Sequence, residues 1–243
     1  MPARLATVPE AAERLGVTSQ RVRALAQDGK LEAIRAEGVW LIDADSLGKR
    51  VLLTELGVAG SSARPWTQPI AWTAMRVLDD DEVLLSDLDR KARYRLRRRL
   101  RDRDPSRLLS AVRNRARVVR ASVHPSRLAG LRDLVVPSGL TGAGFHGSGL
   151  TGADAVDGYL SADALADARR ALRVRDSDTG THLLRVVDDE RLLHGLEVAP
   201  RLAVAADLLD HAVEGGVVDG RVVSTMRALL QAITSSSSLP SRP

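Results

Sequence analysis

The chain has 243 residues and no cysteine, which excludes disulfides and thiolate metal sites. Its net charge is +5, carried almost wholly by arginine, since lysine occurs only at Lys30, Lys49 and Lys91. No segment approaches the roughly 20 apolar residues that span a bilayer, and no apolar run typical of a secretory signal opens the sequence, so we expect a cytoplasmic protein. Arginine suits phosphate and guanine edges, but an Ala-, Arg-, Val- and Leu-rich chain also follows from high-GC coding. An aromatic content of 2% argues against a base-stacking single-strand or RNA platform.

The first fifty residues predict two short helices joined by a tight turn. Thr7 and Glu10 form a capping-box pattern, and Gly16 is placed to end the first helix. Thr18 can cap the second helix, which Gly29 stops. Val22, Leu25 and Ala26 form its apolar face. Polar and small side chains occupy the opposite face and its N-terminal shoulder: Gln20, Arg23, Ala24 and Gln27, with Ser19 and Arg21.

The segment "LEAIRAEGVWLID" then predicts a two-stranded wing. Its strands are expected at about Glu32–Arg35 and Val39–Ile42, around an Ala-Glu-Gly turn. Asp45 or Ser46 can cap a further short helix. A second helix with a polar N-terminus, followed by a wing, is typical of proteins that place side chains in the DNA major groove.

This stretch, "TVPEAAERLGVTSQRVRALAQDGKLEAIRAEGVWLID", resembles the excisionase- and MerR-type winged helix-turn-helix over about residues 5–47. The resemblance implies that the second helix reads bases and the wing touches the backbone. The DNA-binding residues expected on this basis are Thr18, Ser19, Gln20, Arg21, Arg23, Lys30 and Arg35. The alternative is a helical pair used for protein contacts. Because one such module buries little surface, we also expect paired half-sites, bound by a homodimer or by cooperative loading.

Residues 51–69, which include the Gly-, Ser- and Pro-rich "GVAGSSARPWTQP", are predicted to be a linker between the winged module at 1–50 and a basic helical region at 70–121. In the basic region we expect a helix at Ile70–Leu78 and an arginine-rich helix capped by Ser86 with Asp89, with another helix starting at Asp104-Pro105. Four arginines are candidates for phosphate or partner contact: Arg93, Arg97, Arg98 and Arg101. The alternative, slightly favoured, is a solvated helix face partly paired with neighbouring aspartates.

Residues 122–233 predict a mixed helix and strand domain, followed by a disordered tail at 234–243. The expected strands are Arg117–Val123, Leu134–Val136, Leu172–Arg175 and His182–Val187. Helices are expected at 161–172, from Pro200 and at 221–233. A tandem repeat, "SGLTGAGFHG" then "SGLTGADAVD", contains a G-x-G-x-x-G pattern, but a second Gly-rich copy follows it where a dinucleotide site needs a helix. We therefore predict a duplicated flexible loop. The fold class is α+β, mostly helical.

Catalysis receives little support from the sequence. The histidines show no metal-ligand spacing, and neither a Walker-type lysine loop nor a nucleophile elbow is present. Asp207 and Asp210, three residues apart on one predicted helix, are interpreted as surface charge. We therefore expect no enzyme, cofactor or metal.

Several further segments together resemble actinobacterial proteins related to the AbiEi-type antitoxins, over roughly residues 5–233. They are "RPWTQPIAWTAMRVL", "RLRRRLRD", "RVVRASVHPSRLAGL", "GYLSADALADARRALRV", "LLRVV" and "VAPRLAVAADLLD". The resemblance implies an antitoxin that neutralises a nucleotidyltransferase toxin through its C-terminal domain and represses its own operon through its N-terminal one. The alternatives are a plain transcription regulator with a ligand- or partner-sensing domain, and an excisionase-like DNA architectural factor.

Overall fold

The first module of the protein is a small helical unit closed by a three-stranded sheet. A computed structural model describes residues 4–55, 64–150, 154–214 and 217–235. The elements of this module are β1 (Leu5–Thr7), α1 (Val8–Leu15), α2 (Ser19–Gln27), β2 (Ala33–Ala36), β3 (Val39–Asp43) and α3 (Ala44–Glu55).

Helix capping confirms the predicted starts of α1 and α2. The Thr7 hydroxyl accepts a hydrogen bond from the Glu10 backbone N–H, and the Glu10 carboxylate accepts one from the Thr7 N–H at 2.7 Å. Gly16 ends α1 in the left-handed conformation, with φ of 64°. The Thr18 hydroxyl accepts from the Arg21 N–H at 3.2 Å, so α2 begins directly after it.

The wing has one strand more than predicted. β1 pairs with β3, giving the antiparallel order β1-β3-β2. The β2–β3 turn holds Glu37 and Gly38 at positive φ, as a two-residue type I′ hairpin requires. β3 runs on to Asp43, whose carboxylate accepts from the Ser46 N–H at 2.8 Å. The predicted caps of α3, Asp45 and Ser46, are therefore wrong, because both residues lie inside the helix that Asp43 caps.

α3 also corrects the predicted linker. The helix continues to Glu55, so the first residues of 51–69 are helical, and residues 56–63 lie outside the described part of the chain. Leu47 packs in the core of the first module, whereas Leu52, fully buried, packs in the large core of the rest of the chain. α3 thus belongs to both modules.

The remaining helices and strands form the larger module. They are α4 (Gln68–Leu78), α5 (Arg90–Leu100), α6 (Pro105–Ala111), β4 (Arg117–Ser122), α7 (Leu128–Arg132), β5 (Val136–Pro137), α8 (Gly139–Phe145), β6 (Asp157–Ser161), α9 (Ala162–Ala171), β7 (Arg175–Asp176), β8 (His182–Val187), α10 (Arg201–Leu208), β9 (Val213–Glu214), β10 (Val217–Val218) and α11 (Gly220–Ser235).

A mixed sheet of order β5-β6-β8-β4-β7 lies at the centre of this module. β6 and β8 are parallel, which requires the crossover that α9 supplies, and the other pairs are antiparallel. Leu160 and Leu184 face a core with α7 and α9. Tyr159 and Val187 face the large core formed by α4, α10 and α11. The α+β fold class with an N-terminal winged helix-turn-helix is therefore confirmed.

We predicted that the Gly-rich repeat is a flexible loop, but its first copy contains a helix. Residues Gly139–Phe145 form α8, and part of the second copy, 151–153, lies outside the described residues.

β6 was missed because all five of its residues are buried, so its sequence lacks the alternation that marks a half-exposed strand. Most of the predicted disordered tail, 236–243, also lies outside the described residues. In the described chain no helix combines the length and apolar character needed to cross a membrane.

Candidate nucleic-acid interface

α2 presents a polar surface that its own packing leaves free. Val22 and Leu25 are buried against α1 and the sheet of the first module. Helical periodicity then places Gln20, Arg23 and Gln27 on the opposite side, and all three are exposed. The helix therefore turns two amides and a guanidinium away from the protein.

The predicted contact residues divide into two groups by exposure. Arg21 and Arg23 are exposed and form no ion pair with any residue that the structure describes. Thr18 is exposed too, but its hydroxyl oxygen is used as the helix cap, and Ser19 is only half-exposed. Gln20, Arg21 and Arg23 are thus the side chains available to base edges, with Thr18 and Ser19 beside them at the helix N-terminus, which favours phosphate oxygens.

The wing lies next in the chain and carries its own cation. Arg35 on β2 is exposed, and its guanidinium lies 5.9 Å from the centre of the Trp40 ring, so the indole orients it without neutralising it. Lys30, between α2 and the wing, forms an exposed ion pair with Asp28 at 3.1 Å. Such a pair contributes little stability, so Lys30 can exchange Asp28 for a phosphate.

The four arginines predicted for phosphate contact differ in exposure and in their partners. Arg93 is half-buried and donates to the Leu88 carbonyl at 2.9 Å, and Arg97 pairs with Glu82 at 3.2 Å. Arg98 and Arg101 are exposed. Only part of the arginine-rich helix is therefore available to a ligand.

A salt bridge joins the first module to the larger module. Lys49 on α3 lies 3.4 Å from Asp210, just after α10. Asp210 also accepts from Arg185 on β8 at 3.0 Å. Through these contacts the winged module is tied to the centre of the sheet.

Behind this salt bridge lies a buried ion network that the sequence interpretation missed. Asp207 is fully buried, which corrects its assignment to the surface; Asp210 is partly buried. Arg185 Nε lies 3.1 Å from both Asp207 Oδ1 and Asp157 Oδ1, and Arg115 Nε donates to Asp207 at 3.0 Å. The one available signal was a charged residue inside each of two apolar runs, "HLLRVV" and "AADLL".

The network holds its charges strongly. Burial by itself would lower the pKa of Arg185, but Asp207 and Asp157 outweigh burial and raise that pKa above its ordinary value. Burial raises the pKa of Tyr159, whose hydroxyl accepts from Arg115 at 2.8 Å. Both shifts favour the protonated forms, so Arg185 stays charged and Tyr159 stays neutral at neutral pH. Among the described residues, no cluster of His, Asp or Glu side chains could hold a metal ion.

Comparison with known proteins bears on the first module. Residues 2–45 match the family model described as "DNA-binding protein Rv2175c, wHTH domain". A search of curated proteins and a search of solved structures found no match. The matched residues include α1, α2 and the whole wing. The chain therefore carries an N-terminal winged helix-turn-helix DNA-binding domain.

Proposed function

We propose that the protein is a transcription regulator that binds specific double-stranded DNA through α2 and the wing. The observation that carries the proposal is the exposed polar face of α2, which forms no ion pair with any residue in the described ranges. Gln20 and Arg23 lie on its first turns, where recognition helices of this type reach base edges. Glutamine and arginine have the bidentate geometries that recognise adenine and guanine. Arg35 on the wing would contact backbone phosphate. The proposal includes no enzymatic step.

The test begins by selecting bound duplexes from a random DNA pool and measuring their affinity by gel shift. Removing a bidentate base contact should cost about 1–3 kcal/mol and relax specificity at one base position. We expect this for Gln20→Ala with Arg23→Ala. Gln231→Ala with Arg227→Ala removes the same side-chain types from exposed positions on α11 and should leave affinity unchanged. Equal affinities for both double variants would refute the assignment of α2 to the groove.

The DNA site is proposed to contain paired half-sites. A single module of this size buries about 600–1,000 Å² on DNA, which is small for strong specificity. Two copies, joined as a homodimer or loaded cooperatively, would supply the rest. Footprinting should show two protected half-sites, and tight binding to one isolated half-site would contradict this.

A narrower proposal is that the regulator is an antitoxin that represses its own operon and opposes a nucleotidyltransferase toxin. It is supported by the sequence resemblance to AbiEi-type proteins and by the separate core of the larger module. A truncation lacking residues 1–43 keeps α3 and should still protect cells that express the toxin encoded beside the gene, while losing operator repression. If the full chain gives no protection, the plain transcription regulator remains.

A further inference from the structure

An open cleft on the larger module is lined mainly by arginine. Arg95, Arg98 and Arg99 come from α5, Arg107 from α6, and Arg64 from the segment before α4, around the indole of Trp66. We call this surface, defined by these six residues, the arginine cleft. It encloses about 580 Å³, a volume within the usual range of ligand sites.

Helical spacing concentrates charge on one side of the cleft. Arg95, Arg98 and Arg99 stand at positions i, i+3 and i+4 of α5, so their side chains are neighbours. All three are exposed, and none forms an ion pair with a residue in the described ranges. Like charges at this spacing destabilise a helix. A bound anion would offset this repulsion.

The other walls strengthen this preference for anions. Among the described lining residues Asp102 is the one carboxylate, and it is already paired with Arg107. Trp66 is 9% exposed, and its backbone N–H donates to the Ala111 carbonyl at 2.8 Å, so the floor is fixed and apolar. Charges beside an apolar floor interact more strongly than charges surrounded by water.

We propose that the arginine cleft binds phosphate groups, several at a time. The planar guanidinium donates two parallel hydrogen bonds to phosphate oxygens, and clustered arginines can hold successive phosphates. The ligand is either the backbone of a nucleic acid or a free polyphosphate chain. In the DNA case the inference rests on the proposed function and extends the bound surface beyond the winged module. The cleft shares only Arg98 with the four arginines that the sequence analysis selected.

The test compares two triple variants with the same loss of charge. Arg95→Gln/Arg98→Gln/Arg99→Gln removes the α5 wall, and glutamine preserves helix propensity. Arg90→Gln/Arg221→Gln/Arg227→Gln removes three exposed arginines outside the cleft. Urea unfolding of each variant first establishes that the fold is retained. Binding is then measured to inorganic tripolyphosphate by calorimetry, and to duplex DNA over a series of salt concentrations.

The two ligands distinguish the sources of phosphate. If the cleft holds DNA, the slope of log affinity against log salt should fall by about 0.9 for each phosphate that is no longer neutralised, in the cleft variant only. If it holds a free polyphosphate, the DNA slopes stay equal and tripolyphosphate binding weakens at least about tenfold in the cleft variant, since each charged hydrogen bond removed is worth about that factor. The tripolyphosphate arm does not depend on α2, so it separates failure of the cleft from failure of the proposed function. Equal behaviour of both variants toward both ligands would overturn the inference.

Discussion

Asp207 neutralises two guanidinium groups at once, those of the partly buried Arg115 and the fully buried Arg185. Its second oxygen accepts from Ser138, at the start of the first Gly-rich copy. A buried ion pair adds little compared with an apolar substitute, but removing one partner leaves an uncompensated charge. Replacing Asp207 alone should therefore destabilise the fold far more than the ion pairs stabilise it relative to apolar side chains.

We expect Asp207→Asn to lower the free energy of unfolding by about 3–5 kcal/mol, because Arg115 would lose the carboxylate that neutralises it, while Arg185 would keep Asp157 and Asp210. The measurement is urea denaturation followed by circular dichroism. Asp178→Asn, on the exposed turn between β7 and β8, is the matched control and should change stability by no more than about 0.5 kcal/mol. Equal stabilities of the two variants would show that the network is structurally unimportant.

His182, at the start of β8, makes stability depend on pH. Its Nδ1 accepts from the Val156 N–H at 3.1 Å, which requires that nitrogen to be unprotonated. Burial, assisted by the positive charge of Arg132, lowers the pKa of His182 below 6.5. The unfolded chain therefore binds a proton at a higher pH than the folded one, and stability falls as pH drops below the unfolded pKa.

Unfolding measured between about pH 7.5 and pH 5.5 should show this loss of stability in the natural protein. In His182→Asn, whose amide oxygen can accept the same hydrogen bond without titrating, the loss should be smaller. Identical pH profiles would exclude His182 as a source of the pH dependence.

At the scale of the element, the two Gly-rich copies have the same local sequence but different surroundings. Gly139 and Gly149 occupy equivalent positions, and both have positive φ, 52° and 69°. A Cβ on Gly139 would overlap the Asp157 carboxylate, whereas a Cβ on Gly149 meets nothing within 4 Å. At this glycine position only the first copy packs against the ion network, and the second copy joins the network through its last residue, Asp157.

Alanine substitutions at Gly139 and Gly149 separate the cost of backbone strain from the cost of a steric clash. Both substitutions carry the cost of a left-handed residue, about 1–2 kcal/mol. Gly139→Ala should cost about 1–3 kcal/mol more than Gly149→Ala, because it also displaces Asp157. Thermal and urea unfolding of the two variants would measure the difference. Equal costs would mean that the Asp157 side chain moves away freely.

At the scale of the whole molecule, α3 is the connection between the two modules. Its first half completes the winged module through Leu47, and its second half fills the large core through Leu52. Lys49 adds the salt bridge to Asp210. This continuity favours a winged module held in a defined place, in contrast to the mobile one that a linker beginning at residue 51 would give.

Two truncations test this connection. A fragment of residues 44–243 retains α3, and a fragment of residues 64–243 lacks it. The shorter fragment should be less stable by about 2–5 kcal/mol, the usual cost of deleting a buried leucine side chain from a core. The midpoints and slopes of urea unfolding give the comparison. Should both fragments unfold at the same urea concentration, α3 would belong to the winged module alone.

Local chemistry was sufficient to predict the winged module from the sequence. Capping at Thr7 and Thr18, the Gly16 stop and the apolar spacing around Val22 and Leu25 all act within a few residues, so they are visible in the linear pattern. The exposed side of α2 follows from the same periodicity. The third strand of the wing was missed, because β1 has three residues and is defined only by its pairing with β3.

Only the tertiary structure decided the rest, because the deciding contacts join residues far apart in the chain. Asp207 is charged and looks like a surface residue until Arg115 and Arg185 are brought beside it from other elements. The arginines of α5 look equivalent in sequence, yet Arg97 forms a salt bridge with Glu82. Three others, Arg95, Arg98 and Arg99, instead line a cleft that Arg64 and Arg107 complete. Periodicity states which side of a helix is apolar. Which neighbour meets each polar side chain depends on packing between elements, and that is where this chain's buried network and its arginine cleft arise.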